Sequence, residues 1–188
     1  MSRLRWIVAI AVLITPLAGC SGSATTPDCG DPADRAVILV AQSVPSATLI
    51  PCVGTLGAGW TFAGSTIAKD QTKMWLNSTL AGLNAVEVDL TAACDPGDAP
   101  IIPPAPDEIG ATVYEAPSQL DPFRGTRYIV FDGGCVRYRY AFAAGAAPSL
   151  ALEADQALSF VARADVAAAV RTHFDQTLCG AGEQACES

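Results

Sequence analysis

The strongest local pattern in this chain is a pair of alternating segments between Thr126 and Phe142. They flank Asp132-Gly133-Gly134, residues that tolerate positive φ and are common in tight turns. In the second segment an apolar set alternates with a set that carries two arginines; the sets are Val136, Tyr138, Tyr140 and Phe142, and Cys135, Arg137 and Arg139. Successive side chains of a strand point to opposite faces, so the pattern predicts a β-hairpin with one buried face.

Three further short segments indicate an antiparallel meander ahead of this hairpin. Turn residues separate them, and they span Trp60–Ile67, Lys73–Ser78 and Ala85–Ala92. In the third, Val86, Val88 and Leu90 alternate with Glu87, Asp89 and Thr91. This acidic face leaves two interpretations for Arg137 and Arg139. They form cross-strand ion pairs with Glu87 and Asp89, which we favour, or they bind a carboxylate or phosphate of a ligand.

Helices are predicted on either side of the strands. Asp31-Pro32 followed by Asp34 has the form of a helix start, which favours a helix over Ala36–Ala41 against a buried strand. After the hairpin we expect a helix over 150–157, a short edge strand over 158–161 and a helix over 165–178. In this last helix the apolar residues recur every four positions, as a buried face requires; they are Val166, Val170, Phe174 and Leu178.

These segments predict the α+β class: an antiparallel sheet of about five strands with helices packed on one face, disulfide-stapled. The proline-rich residues 95–106 are expected to form an exposed loop inside one domain, because proline continues neither a central strand nor a helix. A chain of 188 residues buries enough surface to fold as one domain without a cross-link.

The N-terminus has the parts of a bacterial export signal. Arg3 and Arg5 precede an apolar segment, Trp6–Ile14, that is too short for a membrane-spanning helix of about 20 residues. Leu17-Ala18-Gly19-Cys20 follows and resembles the lipobox of bacterial, actinobacterial-type lipoproteins. The resemblance covers only the first 20 residues and does not identify the family of the mature domain. An ordinary signal peptide cut near Ala18 is the alternative.

The resemblance implies that residues 1–19 are a signal peptide and that the Cys20 thiol is lipidated with acyl chains such as palmitate. Residues 20–27 would then be a lipidated tether and residues 28–188 a single extracytoplasmic domain. Two acyl chains anchor a protein firmly, so the expected location is the outer side of the cell membrane.

The charge of the mature chain limits its partners. Without residues 1–19, which include Arg3 and Arg5, nine of the 11 basic residues remain against 19 acidic ones, so the net charge is −10. An acidic chain is repelled by polyanions, which argues against nucleic acid and against electrostatic docking on anionic surfaces.

Six cysteines follow Cys20, and an even number in an exported chain indicates disulfides. From their places in the predicted fold we expect the pairs Cys52–Cys94, Cys135–Cys179 and Cys29–Cys186. A metal cluster is the alternative use, but the chain has no C-x-x-C pair and one histidine, His173. We therefore expect neither a metal nor another cofactor.

No catalytic residue stands out in the sequence. No serine lies in a G-x-S-x-G elbow, and His173 has no acid three or four residues away. This favours a non-enzymatic binding or accessory module of the cell envelope over an envelope hydrolase with an unrecognised site. A carrier of an apolar ligand or lipid between sheet and helices is a further hypothesis. The expected partners are the membrane, through Cys20, and an envelope protein or small apolar ligand.

Substitution of Cys20 by Ala is expected to release the protein from the membrane, because the lipid supplies the strong membrane affinity in this chain. Fractionation of cells that express each form measures it. If the Cys20→Ala protein stays with membranes after a high-salt wash, the anchor is assigned to the wrong residue.

Overall fold

A computed structural model describes residues 25–108 and 110–179 of the chain. Its helices are α1 (Arg35–Ser43), α2 (Leu150–Ala157) and α3 (Arg163–Phe174), with a 3₁₀ turn at Pro106–Glu108. Its strands are β1 (Leu49–Val53), β2 (Trp60–Ala68), β3 (Gln71–Ser78), β4 (Gly82–Thr91), β5 (Ile101–Ile102), β6 (Thr112–Leu120), β7 (Phe123–Phe131), β8 (Gly134–Ala141) and β9 (Leu158–Ala162). Within these described ranges, every helix is too short or too polar to cross a membrane.

The strands form two antiparallel sheets, so the α+β class is confirmed. The large sheet has seven strands in the order β2-β3-β4-β8-β7-β6-β5, and the small one pairs β1 with β9. The expected count of about five strands is therefore wrong. Proline hid the three missed strands: Pro51 lies in two-stranded β1, and Pro117 lies at a bulge where β6 leaves its register with β7. The third, β5, lies inside the proline-rich residues 95–106, so the expected loop in fact contains a two-residue edge strand. Sheet edges and bulges tolerate proline because no ladder hydrogen bond is required there.

One face of the large sheet is buried under the helices. The residues of β4 and β8 that were expected to face inward are buried, and they form one core with α1 and α3. On α1, Asp34 caps the helix by accepting hydrogen bonds from the amides of Ala36 (2.9 Å) and Val37 (3.1 Å). Near its other end the hydroxyls of Ser43 and Thr72 are 2.7 Å apart, which fixes α1 to β3.

The last helix ends earlier than expected, at Phe174, where Asp175 adopts a left-handed conformation (φ 53°). Val166 and Val170 are buried, whereas Phe174 is 45% exposed, which corrects its expected burial. Four residues of an α-helix turn by more than one full rotation, so a series with spacing four drifts off the buried face. Leu178 is buried all the same, from the extended segment after the helix.

The disulfides differ from all three expected pairs. Cys29 is bonded to Cys52 (Cα–Cα 5.0 Å), because the N-terminal segment runs beside β1 with Asp28 opposite Val53. Cys94 is bonded to Cys135 (Cα–Cα 5.8 Å). Thr91 of β4 lies opposite Cys135 of β8, which brings the end of β4 to that cysteine. Cys179 is also disulfide-bonded, whereas Cys20 and Cys186 lie outside the described residues.

The turn of the predicted hairpin is confirmed and joins β7 to β8 at Asp132-Gly133. It docks on the loop before β1: the Ser46 hydroxyl donates to the Gly133 carbonyl (2.6 Å), and the Thr48 hydroxyl donates to the Asp132 carbonyl (2.8 Å). Gly133 has φ +69°, and a Cβ there would lie 2.6 Å from the Ser46 carbonyl carbon. Only glycine fits this turn.

Gly133→Ala is expected to destabilise the protein strongly, since it adds a clash with Ser46 to the strain of a left-handed alanine. Gly145→Ala is the matched control, because Gly145 also has positive φ (+79°) but open space where the Cβ would be. The control should cost about 1–2 kcal/mol, the left-handed penalty alone. Urea unfolding of both variants measures the difference, and equal losses would contradict the docking of the turn.

Candidate functional site

The two arginines singled out in the sequence lie on the sheet face away from the helices. The Arg137 Nη2 is 2.6 Å from the Asp89 Oδ2, and Arg139 pairs with Glu87. The favoured interpretation, cross-strand ion pairs, is confirmed by these contacts. We call this surface the ion-pair face; it comprises Lys73, Glu87, Asp89, Arg137 and Arg139.

Further contacts satisfy the acids of the ion-pair face. Glu87 also accepts from the Trp75 indole (3.2 Å) and lies 3.4 Å from the Lys73 Nζ, and Asp89 accepts from Gln71 (2.7 Å). Burial raises the pKa of Glu87, but the bonds from Arg139 and Trp75 and the charges of Arg139 and Lys73 outweigh it. The pKa therefore lies below its ordinary value of 4.5. These charges therefore pair with one another across neighbouring strands.

A concavity lies on the side of the sheet opposite to the ion-pair face, between the β6–β7 hairpin and α2. We call it the Tyr140 cleft; it has a volume of about 350 Å³, and its lining includes Leu120, Phe123, Arg127, Tyr140, Leu152 and Asp155. Gly125 of β7 leaves room for it. A Cβ at Gly125 would lie 3.3 Å from both the Phe123 and Tyr140 rings, and any longer side chain would enter this space.

Four polar groups from four separate segments meet at the floor of the cleft. Arg127 of β7 donates through Nη2 to both carboxylate oxygens of Glu108, at 3.0 and 2.9 Å. Its Nη1 lies 3.4 Å from the Asp155 Oδ2 on α2, and the Tyr140 hydroxyl donates to the Asp155 Oδ1. Glu108 is buried and also accepts from the Ala105 amide (2.6 Å). The floor is therefore a hydrogen-bonded network that ties the 3₁₀ turn, β7, β8 and α2 together.

Acids outnumber bases around this network. Burial raises the pKa of Asp155 above its ordinary value of 3.8, and the charges of Glu108 and Glu115 add to the effect, while Tyr140 and Arg127 oppose it. Burial, together with the charge of Asp155, raises the pKa of the Tyr140 hydroxyl well above 10.0. Burial lowers the pKa of Arg127, but Glu108 and Asp155 more than compensate, so it is raised. Shifted groups inside a cleft are typical of functional sites.

The rim of the cleft is apolar and open to solvent. Leu120, at the end of β6, is 68% exposed, and Leu152, on α2, is 65% exposed. Both leucines present apolar surface at the mouth of the concavity, which a ligand with an apolar part can cover. The Tyr140 cleft thus combines a charged floor with an apolar entrance.

Most of this cleft was not predicted from the sequence. Tyr140 was expected on the buried face, whereas Arg127, Glu108 and Asp155 had no assigned role. One signal was present: Arg127 occupies an inward position of β7, in the alternating set that contains Phe123, Ile129 and Phe131. A charged residue in an otherwise apolar set requires a buried partner, although the set does not say which one.

Neither a metal site nor a relative indicates the function. In the described part of the chain, no group of three His, Cys, Asp or Glu side chains could hold a metal ion. His173 is exposed on α3, with its ring 6.4 Å from that of Phe174. No protein-family profile, curated protein or solved structure matches the chain. Its function must be inferred from the chemistry of the cleft.

Asp155→Asn is expected to become more stable relative to the wild type as the pH rises. The raised folded-state pKa means that the stability linked to the Asp155 proton is complete below 3.8 and is lost as the pH rises through the folded value. Asn cannot ionise and escapes this loss. Urea unfolding between pH 3 and 7 measures the difference in free energy.

Asp89→Asn is the control, because it breaks the pair with Arg137 and should lower stability at neutral pH. A stability difference between Asp155→Asn and wild type that does not change with pH would contradict the excess of acid assigned to the cleft.

Proposed function

We propose that this protein is a lipid-anchored, extracytoplasmic binding module of the cell envelope that holds a small amphipathic molecule in the Tyr140 cleft. The observation that carries the proposal is the buried network of Arg127, Glu108, Asp155 and Tyr140 beneath an entrance formed by two exposed leucines. A polar end of the ligand would meet the network, and an apolar end would cover Leu120 and Leu152.

The size of the cleft favours a small ligand over a lipid. Its volume of about 350 Å³ is near the lower end for small-molecule pockets. Between the sheet and the helices, where a lipid carrier would need space, the described residues are tightly packed. Val37, Met74 and Val88 are at most 1% exposed there. These features support a binding module more than a carrier of whole lipids.

Binding also suits the network better than hydrolysis does. Glu108 accepts two bonds from Arg127 and one from the Ala105 amide, so both of its carboxylate oxygens are occupied in supporting the fold. Of the described carboxylates in this network, Asp155 lines the cleft and has a raised pKa. A hydrolase with paired carboxylates would need a second such group.

The proposed anchor agrees with the charge of the domain. With a net charge of −10 after processing, the domain gains nothing from an anionic membrane surface or from nucleic acid. Attachment would therefore depend on the lipid at Cys20. The described chain begins at Thr25 and is fixed from Pro27 onward, where the Pro27 carbonyl accepts from the Val53 amide (2.7 Å). The proposed tether between Cys20 and the fixed part of the domain is therefore short.

Binding is tested with three eight-carbon amphiphiles at concentrations below aggregation: octyltrimethylammonium, octanoate and octan-1-ol. At least one should bind saturably and shift the NMR signals of residues around Tyr140. The double variant Leu120→Ser, Leu152→Ser should weaken that binding about tenfold or more, because apolar contact area is lost.

Leu39→Ser is the matched control, since Leu39 is 50% exposed on α1, away from the cleft. It should leave the affinity unchanged. No saturable binding by any of the three probes, or an equal loss in the control, would refute the cleft as the binding site.

A further inference from the structure

We infer that the molecule bound in the Tyr140 cleft is an organic cation, an ammonium group with an apolar substituent. This inference rests on the proposed function and adds the chemical class of the ligand. It depends on three observations: the balance of charge, the approachable oxygen of Asp155 and the aromatic rings beside it.

The charge balance of the cleft is negative. Among the described residues that line it, Arg127 is the only basic one, against the acids Asp155 and Glu115. Directly behind them is Glu108, which holds Arg127 in a two-pronged contact. Three carboxylates therefore surround one guanidinium, whose Nη1 and Nη2 already face Asp155 and Glu108. With three negative charges against one positive, the net charge is −2, so an anionic ligand would be repelled and a cation would lower the net charge to −1.

Asp155 has an oxygen that a cation in the cleft can approach. Its Oδ1 accepts from the Tyr140 hydroxyl, but its Oδ2 is 3.4 Å from the Arg127 Nη1, longer than a charge-assisted hydrogen bond of about 2.7–2.9 Å. The side chain is 22% exposed and lines the cleft. An ammonium group, with or without N–H donors, can therefore approach the Oδ2 by charge attraction without displacing Tyr140.

Aromatic rings complete the site for a cation. Phe123 and Tyr140 both line the cleft, with ring centroids 6.1 Å apart and planes tilted by 54°. An ammonium group near such ring faces gains attraction from their π electrons, and methylated ammonium groups use it most fully because they are weakly hydrated. The apolar substituent would then extend toward Leu120 and Leu152 at the rim.

Cation binding should weaken in acid. Asp155 faces Tyr140, Arg127, Glu108 and Glu115, and protonation of Asp155 would remove one of the three negative charges that attract a cation. Burial raises the pKa of Asp155, so this carboxylate takes up its proton earlier on acidification than an exposed aspartate does. Affinity for the cation should fall as the pH drops through that raised value, and affinity for a neutral probe should not.

The head groups of the three amphiphiles decide the class of the ligand. In titrations at pH 7 of the purified protein, octyltrimethylammonium should bind at least tenfold more tightly than octanoate and more tightly than octan-1-ol. Asp155→Asn and Glu115→Gln should each lower the affinity for the cation three- to tenfold and leave octan-1-ol unchanged. Asp165→Asn, an exposed carboxylate on α3, is the matched control and should change none of the three.

The remaining outcomes separate a failure of this inference from a failure of the proposed function. Octanoate binding as tightly as the cation would overturn the inference while the proposed function stands, and failure of all three probes would overturn both. An equal loss for all probes in Asp155→Asn would assign Asp155 a structural role and refute the charge argument. Glu115→Gln keeps the test open if Asp155→Asn misfolds, because Glu115 is exposed and its replacement leaves the network intact.

Discussion

The fold depends on the alternation of side chains along the two central strands, β4 and β8. Their pairing sets Val88 opposite Tyr138 on the buried face, and Glu87 opposite Arg139 on the open one. A shift of the register by one residue would turn the acids and arginines toward the helices and expose the apolar set. The ion-pair face and the core therefore enforce the same register, one by charge and the other by burial.

The Tyr140 cleft arises where this alternation is interrupted on the buried face. Arg127 of β7 lies opposite Tyr138, at an inward position that the rest of the strand fills with apolar groups. Its charge is tolerable because Glu108 and Asp155 are brought to it from the 3₁₀ turn and from α2. Gly125, opposite Tyr140, leaves the neighbouring position empty. The charged Arg127 and the side-chain-free Gly125, two positions apart on β7, therefore create the cleft at the edge of the core.

Local patterns predicted the local elements. The hairpin, the meander, α1 and α2 follow from period, turn residues and capping chemistry, which act over a few residues. The cap of α1 is nevertheless Asp34 and not Asp31, the first acid of the predicted helix start. The disulfides and the cleft were not predictable in this way. Cys94 meets Cys135 through the pairing of β4 with β8, and Asp155 meets Tyr140 through the packing of α2. Those contacts join residues distant in sequence, and no short pattern specifies which charge, or which thiol, is the partner.

The Cys29–Cys52 disulfide determines how the domain responds to a mechanical pull. Force applied to the chain before Cys29, where the proposed anchor lies, passes through the sulfur atoms directly into β1 at Cys52, one residue before the strand ends. The intervening residues, α1 among them, are bypassed and carry no tension. Ile50, Cys52 and Val53 are buried, so the load enters the domain at its interior. Movement of the membrane would therefore strain β1, which pairs with β9 on one side and lies beside the N-terminal segment on the other. Helix α1 and its contacts with the large sheet would stay relaxed.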